Sequence, residues 1–516
     1  MPPDPSIKSK QSLFSISFFQ NLNKRKENTV FSANPPPKRI SGKTMTKVNN
    51  TTPVPFIKHW NPLFGFGAAF KKNAGELLLQ LQQEHGDVFS IMLGRRKFTF
   101  VLNPHDYPTI LKDTENLSSE RVGKEVSTRA FGIDYSTCPD DMHDFSRMLS
   151  QAMQKNRIRL ATEEMYKNLK QEISAIPAHH AQEDSLFRFI AELIFNAGGK
   201  AMFGSEIYQE DNLFEDFLAY DIKFPWYVAG LSKRWFFPKQ HKYVQGIAKI
   251  LETPRQEEQS DAILSYYTKM EAANIPRDVQ GRIIYGLLWA TQSNTVVMAF
   301  HSILYILKDK TAQQALLSEI ETVLKNHNTS LANFPIAALN ELTLLDACLD
   351  EVLRLKTFSM PTREVINPLS VNFENGKVLQ ATEGEMIALY PLTTHMNPDI
   401  YPEPNKFIWD RFVGKQGNGK MQYQGKKLQY NLLPFGGGAS ICPGRHFAKN
   451  EFKLLTAVLL TQFDIELLSD ALPDIDQSRA GLGARAPLND IPIRIKRKES
   501  HLTNNLTETR NTASLA

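Results

Sequence analysis

The stretch PFGGGASICPGRHFA, residues 434–448, joins three successive glycines to a cysteine and a Pro-Gly pair, and no other stretch of the chain is better placed for chemistry. Glycine has no Cβ, so Gly436, Gly437 and Gly438 can take positive φ and leave room for a flat ligand against the main chain. The loop then delivers Cys442. An apolar-periodic stretch follows it, Phe447, Phe452, Leu455, Val458 and Leu459, so the cysteine stands just before a helix. Amide N–H groups and the positive helix end there favour a thiolate over a thiol. A lone cysteine near a helix start is ordinarily an inert packing residue; the glycine-rich approach and the Pro-Gly pair favour a ligating thiolate. The other two cysteines, Cys138 and Cys348, lack such a context, and no CxxC or CxxH spacing supports a disulfide framework or a zinc site.

Two more constellations carry polar groups on apolar elements. In LDEVLRL, Glu351 and Arg354 lie at i and i+3 on one helical face, and Ala347, Val352, Leu353 and Leu355 around them predict a buried pair. The stretch from Gly281 to Asp309 has the length of a membrane-spanning helix, yet Thr291, Gln292, Ser293, Asn294 and Thr295 fill its middle. That cluster would be costly at bilayer depth, so a long buried helix lining a site is the better reading.

These residues need a scaffold, and the rest of the sequence predicts a mainly helical one. Leu316, Leu317, Ile320, Val323 and Leu324 fall on one helical face with Glu319 and Lys325 pointing out. Strands are few and local: DVFSIML and KFTFVL form a hairpin around Gly94, Arg95 and Arg96, and VNFENGKVL carries an Asn-Gly pair suited to a type I′ turn. Neither an internal repeat nor a dividing linker is visible between Thr52 and Arg497, so one large domain is expected over residues 51–497. Hydrophobic residues at 42% and charged residues at 22% fit a globular protein. Of the net charge of +5, residues 1–50 hold nine Lys or Arg against Asp4 and Glu27, leaving −2 for the remainder, which implies no nucleic-acid-binding surface. Residues 1–50 read as a disordered basic segment, of a composition also found in transit peptides, and residues 498–516 as a polar tail. Residues 11–20 are apolar but too short to span a bilayer, so no N-terminal anchor is expected.

The 434–448 segment resembles the haem-binding loop of the cytochrome P450 superfamily, whose pattern is Phe-Gly-x-Gly and then Cys and Gly at fixed spacing. Phe435, Gly436, Gly438, Cys442 and Gly444 match it. The resemblance implies the mainly α P450 fold with small β-sheets, bound haem b (iron protoporphyrin IX), and Cys442 as the axial ligand of the iron. Most members carry Arg or His two residues before the cysteine to pair a haem propionate; here Ser440 stands there. Arg363, in MPTRE, is the candidate for that contact, with a surface ion pair as the alternative. Glu351, Arg354 and Arg411, the last in NKFIWDRF, take the places of the family's Glu-Arg-Arg triad, which implies structural locks behind the haem. The family's distal helix bears an acid followed by Thr. The equivalent pair here is Asn294 and Thr295, and Asn294 can orient water but cannot donate a proton as a carboxyl group would. WATQSNT, FPWYVAGL and DQSRAGLGARAPLNDI resemble the branch of cholesterol and oxysterol 7α-hydroxylases, sterol 12α-hydroxylase and prostacyclin synthase, and the haem loop is most similar to that of cholesterol 7α-hydroxylases. That branch replaces the helix acid by Asn and lacks the usual Arg before the cysteine.

The resemblance therefore implies a monooxygenase that hydroxylates a hydrophobic substrate of the sterol or similar lipid class. Its electrons would come from NADPH indirectly, through a flavoprotein or ferredoxin partner, since no GxGxxG-containing nucleotide-binding unit is evident. Arg445, His446 and Lys449 beside the loop could receive an acidic donor, or could be a solvated helix end. Two alternatives stay open: a prostacyclin-synthase-like isomerase, against which Thr295 argues, and a non-catalytic haem sensor. FPWYVAGLSKRWFF, residues 224–237, places aromatic side chains beside Lys233 and Arg234, a composition suited to peripheral membrane contact as well as to a core segment. Peripheral attachment of the endoplasmic-reticulum type, the cytoplasm and the mitochondrion are all compatible with the sequence.

Overall fold

The computed structural model describes residues 52–61, 63–139, 153, 155–177, 181–255, 258–415 and 417–498. The expectations for residues 1–50 and for the tail beyond Lys498 lie outside them.

Helices dominate, and those that frame the site are α1 (Gly67–His85), α2 (Ser119–Phe131), α3 (Lys155–Ser174), α4 (Leu186–Phe203), α5 (Leu213–Ile222), α6 (Pro238–Ile250), α7 (Arg277–Lys308), α8 (Lys310–Asn326), α9 (Thr343–Lys356) and α10 (Arg445–Gln462). The long helix expected from the apolar stretch is α7, with Asp278 in its first turn and Lys308 in its last, each complementing the helix dipole. It is buried on nearly every side, as a helix without a polar face must be, and packs on α4, α6 and α9. No helix among the described residues is long and apolar enough to cross a membrane.

Side-chain caps set several boundaries. Ser118 accepts from the Arg121 amide to start α2, and Gly132, at φ 76°, ends it in the left-handed region where glycine carries no Cβ penalty. Asp309 accepts from the Thr311 and Ala312 amides to start α8. The apolar face expected for α8 is present, with Leu316, Ile320, Val323 and Leu324 buried. Glu319 does not point to solvent, however: it accepts from the Leu344 and Leu345 amides at 2.6 and 2.9 Å and so caps α9 from a neighbouring helix.

The largest sheet has six strands, four of them labelled here: β1 (Val88–Leu93), β2 (Arg96–Val101), β3 (Thr362–Val365) and β4 (Met386–Leu389). They run in the order β1, β2, β4, β3, flanked by Phe56–Ile57 and Leu117–Ser118. The β1–β2 hairpin turns on Gly94 (φ 60°) and Arg95, so Arg96 belongs to the strand instead of the expected turn. In the Leu369–Asn372 and Lys377–Ala381 hairpin only Gly376 has positive φ; a type I′ turn needs it at both central residues, and the connection is a longer loop from Phe373 to Gly376. β3 pairs antiparallel with β4 and sets Ile387 opposite Arg363, which carries the Arg363 side chain toward the glycine-rich loop.

Candidate functional site

The glycine-rich loop is folded back on itself. The Cys442 amide donates to Phe435 O at 2.8 Å and the Ile441 amide to Gly438 O at 3.2 Å. Gly436 and Gly438 have φ of 71° and 63°, which other residues adopt only with strain. The glycines do not all serve to bare the main chain, as the sequence suggests. A Cβ on Gly438 would stand 2.2 Å from Leu111 O, and one on extended Gly437 would meet the Leu433 and Leu111 side chains at 2.9 and 3.0 Å. These two glycines let the loop close against the helix Tyr107–Lys112. Gly444 differs: a Cβ there would meet nothing closer than the Cys442 Sγ, at 4.0 Å.

Cys442 precedes α10, as expected. Burial pushes its thiol up, while the amides of Gly444 and Arg445 and the Arg445 charge pull it down. Coordination to a metal ion deprotonates a thiol outright, so burial does not disqualify this sulfur as a ligand. Cys348 and Cys138 are buried and pushed up mainly by burial as well, and neither has a comparable loop.

Arg363 is 3% exposed and no carboxylate pairs with it among the described residues, which removes the surface ion-pair alternative. Its Nη2 donates to Ser440 Oγ at 2.7 Å and to Gly437 O at 3.4 Å. Burial lowers its guanidinium to about 10. An uncompensated buried cation is costly; one that reaches the cysteine loop at the position expected for a propionate contact fits an anionic group of a bound cofactor. The amide-faced sulfur and this guanidinium, which has no carboxylate partner among the described residues, together fit a haem.

Glu351, Arg354 and Arg411 meet in one cluster, with Glu351 and Arg354 fully buried. Glu351 takes Arg354 Nε at 2.7 Å, Arg354 Nη2 at 2.8 Å, Arg411 Nε at 3.0 Å and the Ile408 amide at 3.1 Å. Arg354 Nη1 also donates to His395 O and Pro404 O at 2.7 and 2.8 Å, which fastens α9 to the chain leading toward the cysteine loop. Of the three basic residues at the start of α10, Lys449 is committed to Asp350 at 2.7 Å and Asp346 at 3.4 Å, while Arg445 Nη1 donates to Cys442 O at 3.0 Å.

At the centre of α7, Asn294 Oδ1 accepts from the Ala484 amide at 2.8 Å. Gly483, at φ 105°, allows the close approach, since a Cβ there would stand 2.1 Å from Asn294 Oδ1. Thr295 is buried beside it. A neighbouring constellation escaped the sequence reading: Asp221 of α5 accepts from Trp289 Nε1 at 2.8 Å and Ser293 Oγ at 2.7 Å, and pairs with Arg479 at 3.0 Å. Arg479 Nη1 donates further to Asp221 O at 2.8 Å. Trp289 and Ser293, spaced i and i+4, were the available signal that α7 presents two donors on one face; nothing near Asp221 marked it as their acceptor.

A long buried helix with a polar centre and a glycine-framed cysteine loop leading into α10 make up the candidate site. The chain belongs to the cytochrome P450 family, whose model matches residues 54–492. It is 30% identical over 465 residues to human 7-alpha-hydroxycholest-4-en-3-one 12-alpha-hydroxylase, covering 86% of this chain and 92% of that protein. It is also 30% identical to mouse cytochrome P450 7B1, over 86% of this chain and 90% of that one, and to rabbit cytochrome P450 7A1, over 86% and 93%. Among solved structures it matches cyanobacterial CYP120A1 with bound retinoic acid, at a TM-score of 0.68 and 20% identity, over 87% of this chain and all of the other, a likeness of fold. The protein is a P450 monooxygenase of the branch that holds these hydroxylases; identities of 28 to 30% do not single out one of them.

Proposed function

We propose that residues 51–497 form a haem domain in which Cys442 is the axial iron ligand, and that the enzyme hydroxylates a sterol or similar flat, bulky lipid with O2 and electrons from NADPH delivered by a separate redox protein. The observation that carries this reading is the Cys442 loop: a sulfur faced by the Gly444 and Arg445 amides just before α10, with the Arg363 guanidinium on Ser440 and without a carboxylate partner among the described residues. When bound, the haem supplies the oxygen-activating chemistry, to which thiolate ligation adds electron density. The protein does the rest. Arg363, Phe435, Gly436, Gly438 and Gly444 shape the cofactor seat, and Glu351, Arg354 and Arg411 keep it rigid. The Ala484 amide fixes Asn294 through its Oδ1, so that its Nδ2 hydrogens can orient water, and the Thr295 hydroxyl can pass a proton along the same turn of α7. Relatives named for a cholestenone 12-alpha-hydroxylation and for a cholesterol 7-alpha-monooxygenation support a sterol substrate.

The same reading includes peripheral membrane contact through residues 224–237. That stretch forms two short helices, Phe224–Val228 and Lys233–Phe236. Phe224 and Tyr227 are buried, so part of it is core, but Trp235 and Phe236 are 77% and 65% exposed. Exposed aromatics beside cations suit the lipid interface.

A spectral titration of the haem-loaded protein with sterols, bile-acid precursors and fatty acids, followed by turnover with NADPH and a reductase, tests the proposal. A type I shift and a hydroxylated product from sterols alone support it. Rearrangement of an endoperoxide without NADPH would replace it with the isomerase reading.

A further inference from the structure

A surface cleft of about 260 Å³ lies between the end of α2, the two short helices after α5, α6 and the first turns of α7. Arg129, Lys233, Arg234, Arg282 and His241 line it, and none of its lining residues is acidic. Part of this charge has a structural duty. Lys233 Nζ donates to Arg129 O at 2.6 Å and to Ala130 O, and Arg282 Nη1 to Gly132 O at 3.4 Å, at the end of α2, while Arg129 Nη1 donates to Val228 O at 2.8 Å at the end of the short helix Phe224–Val228.

That duty accounts for only a fraction of the charge. A helix C-terminus carries the equivalent of about half a negative charge. Glu125 pairs with Arg129 but also with Arg96, at 2.5 Å, and Asp278 stands 3.9 Å from Arg282 with its side chain 61% exposed. Arg234 has no carboxylate partner among the described residues; its guanidinium lies 5.7 Å from the Trp235 ring. More than one positive charge is left over. The groups themselves register this: burial and then Lys233, Arg234 and Arg282 hold the His241 imidazole below its usual value, and burial and then Arg282 lower Lys233 to about 8. Like charges gathered around a cleft disfavour one another until an anion joins them.

The position says which anion. Trp235 follows Arg234 directly, and Trp235 and Phe236 are the exposed aromatics that the peripheral-membrane reading turns toward lipid. We propose that the cleft binds the phosphate of an anionic phospholipid, with Arg234 and Arg282 as the phosphate-facing cations and His241 at the edge of the site, while Trp235 and Phe236 enter the headgroup zone. The lipid source rests on that membrane reading; the anion chemistry rests on the cleft. Seating a headgroup here would fix which side of the protein faces the bilayer.

The test is co-sedimentation of the haem-loaded full chain with vesicles of phosphatidylcholine, alone or doped with phosphatidic acid. Variants are Arg234→Gln with Arg282→Gln, Trp235→Ser with Phe236→Ser, and Lys239→Gln with Lys242→Gln, the last an equal charge change on exposed α6 positions outside the cleft. The carbon-monoxide spectrum checks that each is folded. The parent and the Lys239/Lys242 variant should bind doped vesicles about thirtyfold more tightly than undoped ones, as two near-surface cations would give. The Arg234/Arg282 variant should lose that preference and keep its phosphatidylcholine binding; the Trp235/Phe236 variant should lose binding to both. Preference retained in the Arg234/Arg282 variant, or lost equally in the Lys239/Lys242 variant, overturns the site while leaving membrane contact intact. Absence of vesicle binding in the parent overturns the lipid source. Inorganic phosphate then decides the cleft: a rise in the His241 imidazole pKa, followed by nuclear magnetic resonance, assigns it to a soluble phosphate, and no change overturns the anion site as well.

Discussion

Replacing Asp221 with Ala removes in one step the acceptor for Trp289 Nε1, Ser293 Oγ and the Arg479 guanidinium, at 2.8, 2.7 and 3.0 Å. Arg479 is 2% exposed, so its charge would be left inside the protein with no counter-charge. Breaking a buried pair from one side costs ~3–5 kcal/mol, a large share of a typical stability of ~5–15 kcal/mol. Arg479→Leu should cost a similar amount for the mirror reason, since it strands the Asp221 carboxylate. The double variant leaves neither charge behind, so its cost should fall below the sum of the two single costs by ~2 kcal/mol or more. Urea denaturation of the haem-loaded protein, followed by far-ultraviolet circular dichroism and by Soret absorbance, reads all three. If the single costs add to within ~0.5 kcal/mol, Asp221 and Arg479 are not coupled and do not tie α5 and the loop around Arg479 to α7.

Glu351→Ala strands buried Arg354 and partly buried Arg411, and should lower haem retention and soluble yield instead of merely slowing turnover; a stable, fully haem-loaded variant would contradict the lock. Lys356 is lowered to about 7 by burial and then by Arg485, against an ordinary value of 10.5, so the unfolded chain binds the extra proton between those values and stability rises with pH across that window. Lys356→Met should therefore be more stable than the parent by about 3–5 kcal/mol at pH 7 and below, an advantage that fades toward pH 10 in urea titrations; a constant difference would deny the shift. Gly483→Ala meets both a positive φ and the Asn294 Oδ1, and should cost ~1–3 kcal/mol in the same assay and alter the sterol-induced spectral change; a silent substitution would mean that the Gly483–Asn294 contact yields freely.

What could be read from the sequence was what local pattern encodes. The length and polar centre of α7, the Cys442 loop with its following helix, and the Glu351–Arg354 pair are all written within one or two helical turns. Arg363 came from the family resemblance, as a candidate to stand in for the missing Arg at Ser440, and not from a local pattern. What escaped depends on distant partners. Asp221 and Arg479 are 258 residues apart, and neither position has a local feature that predicts the other. Glu319 has the spacing of a solvent-facing residue, yet the folded chain turns it onto the first amides of α9. Gly437 and Gly438 read as room for a ligand because sequence shows the missing Cβ and not Leu111, which fills the space. The Asn375-Gly376 turn has I′ composition, but strand pairing from Asn372 to Val378 sets a longer loop.

The central claim is that Cys442 is the haem ligand, and the carbon-monoxide complex of the reduced protein tests it most directly. The parent, Cys138→Ala and Cys348→Ala should all give the red-shifted Soret band of a thiolate-ligated haem, whereas Cys442→Ser should lose both that band and monooxygenase turnover, because a hydroxyl stays protonated and cannot supply the same electron density. A thiolate spectrum retained in Cys442→Ser, or lost in either of the other two variants, would contradict the account.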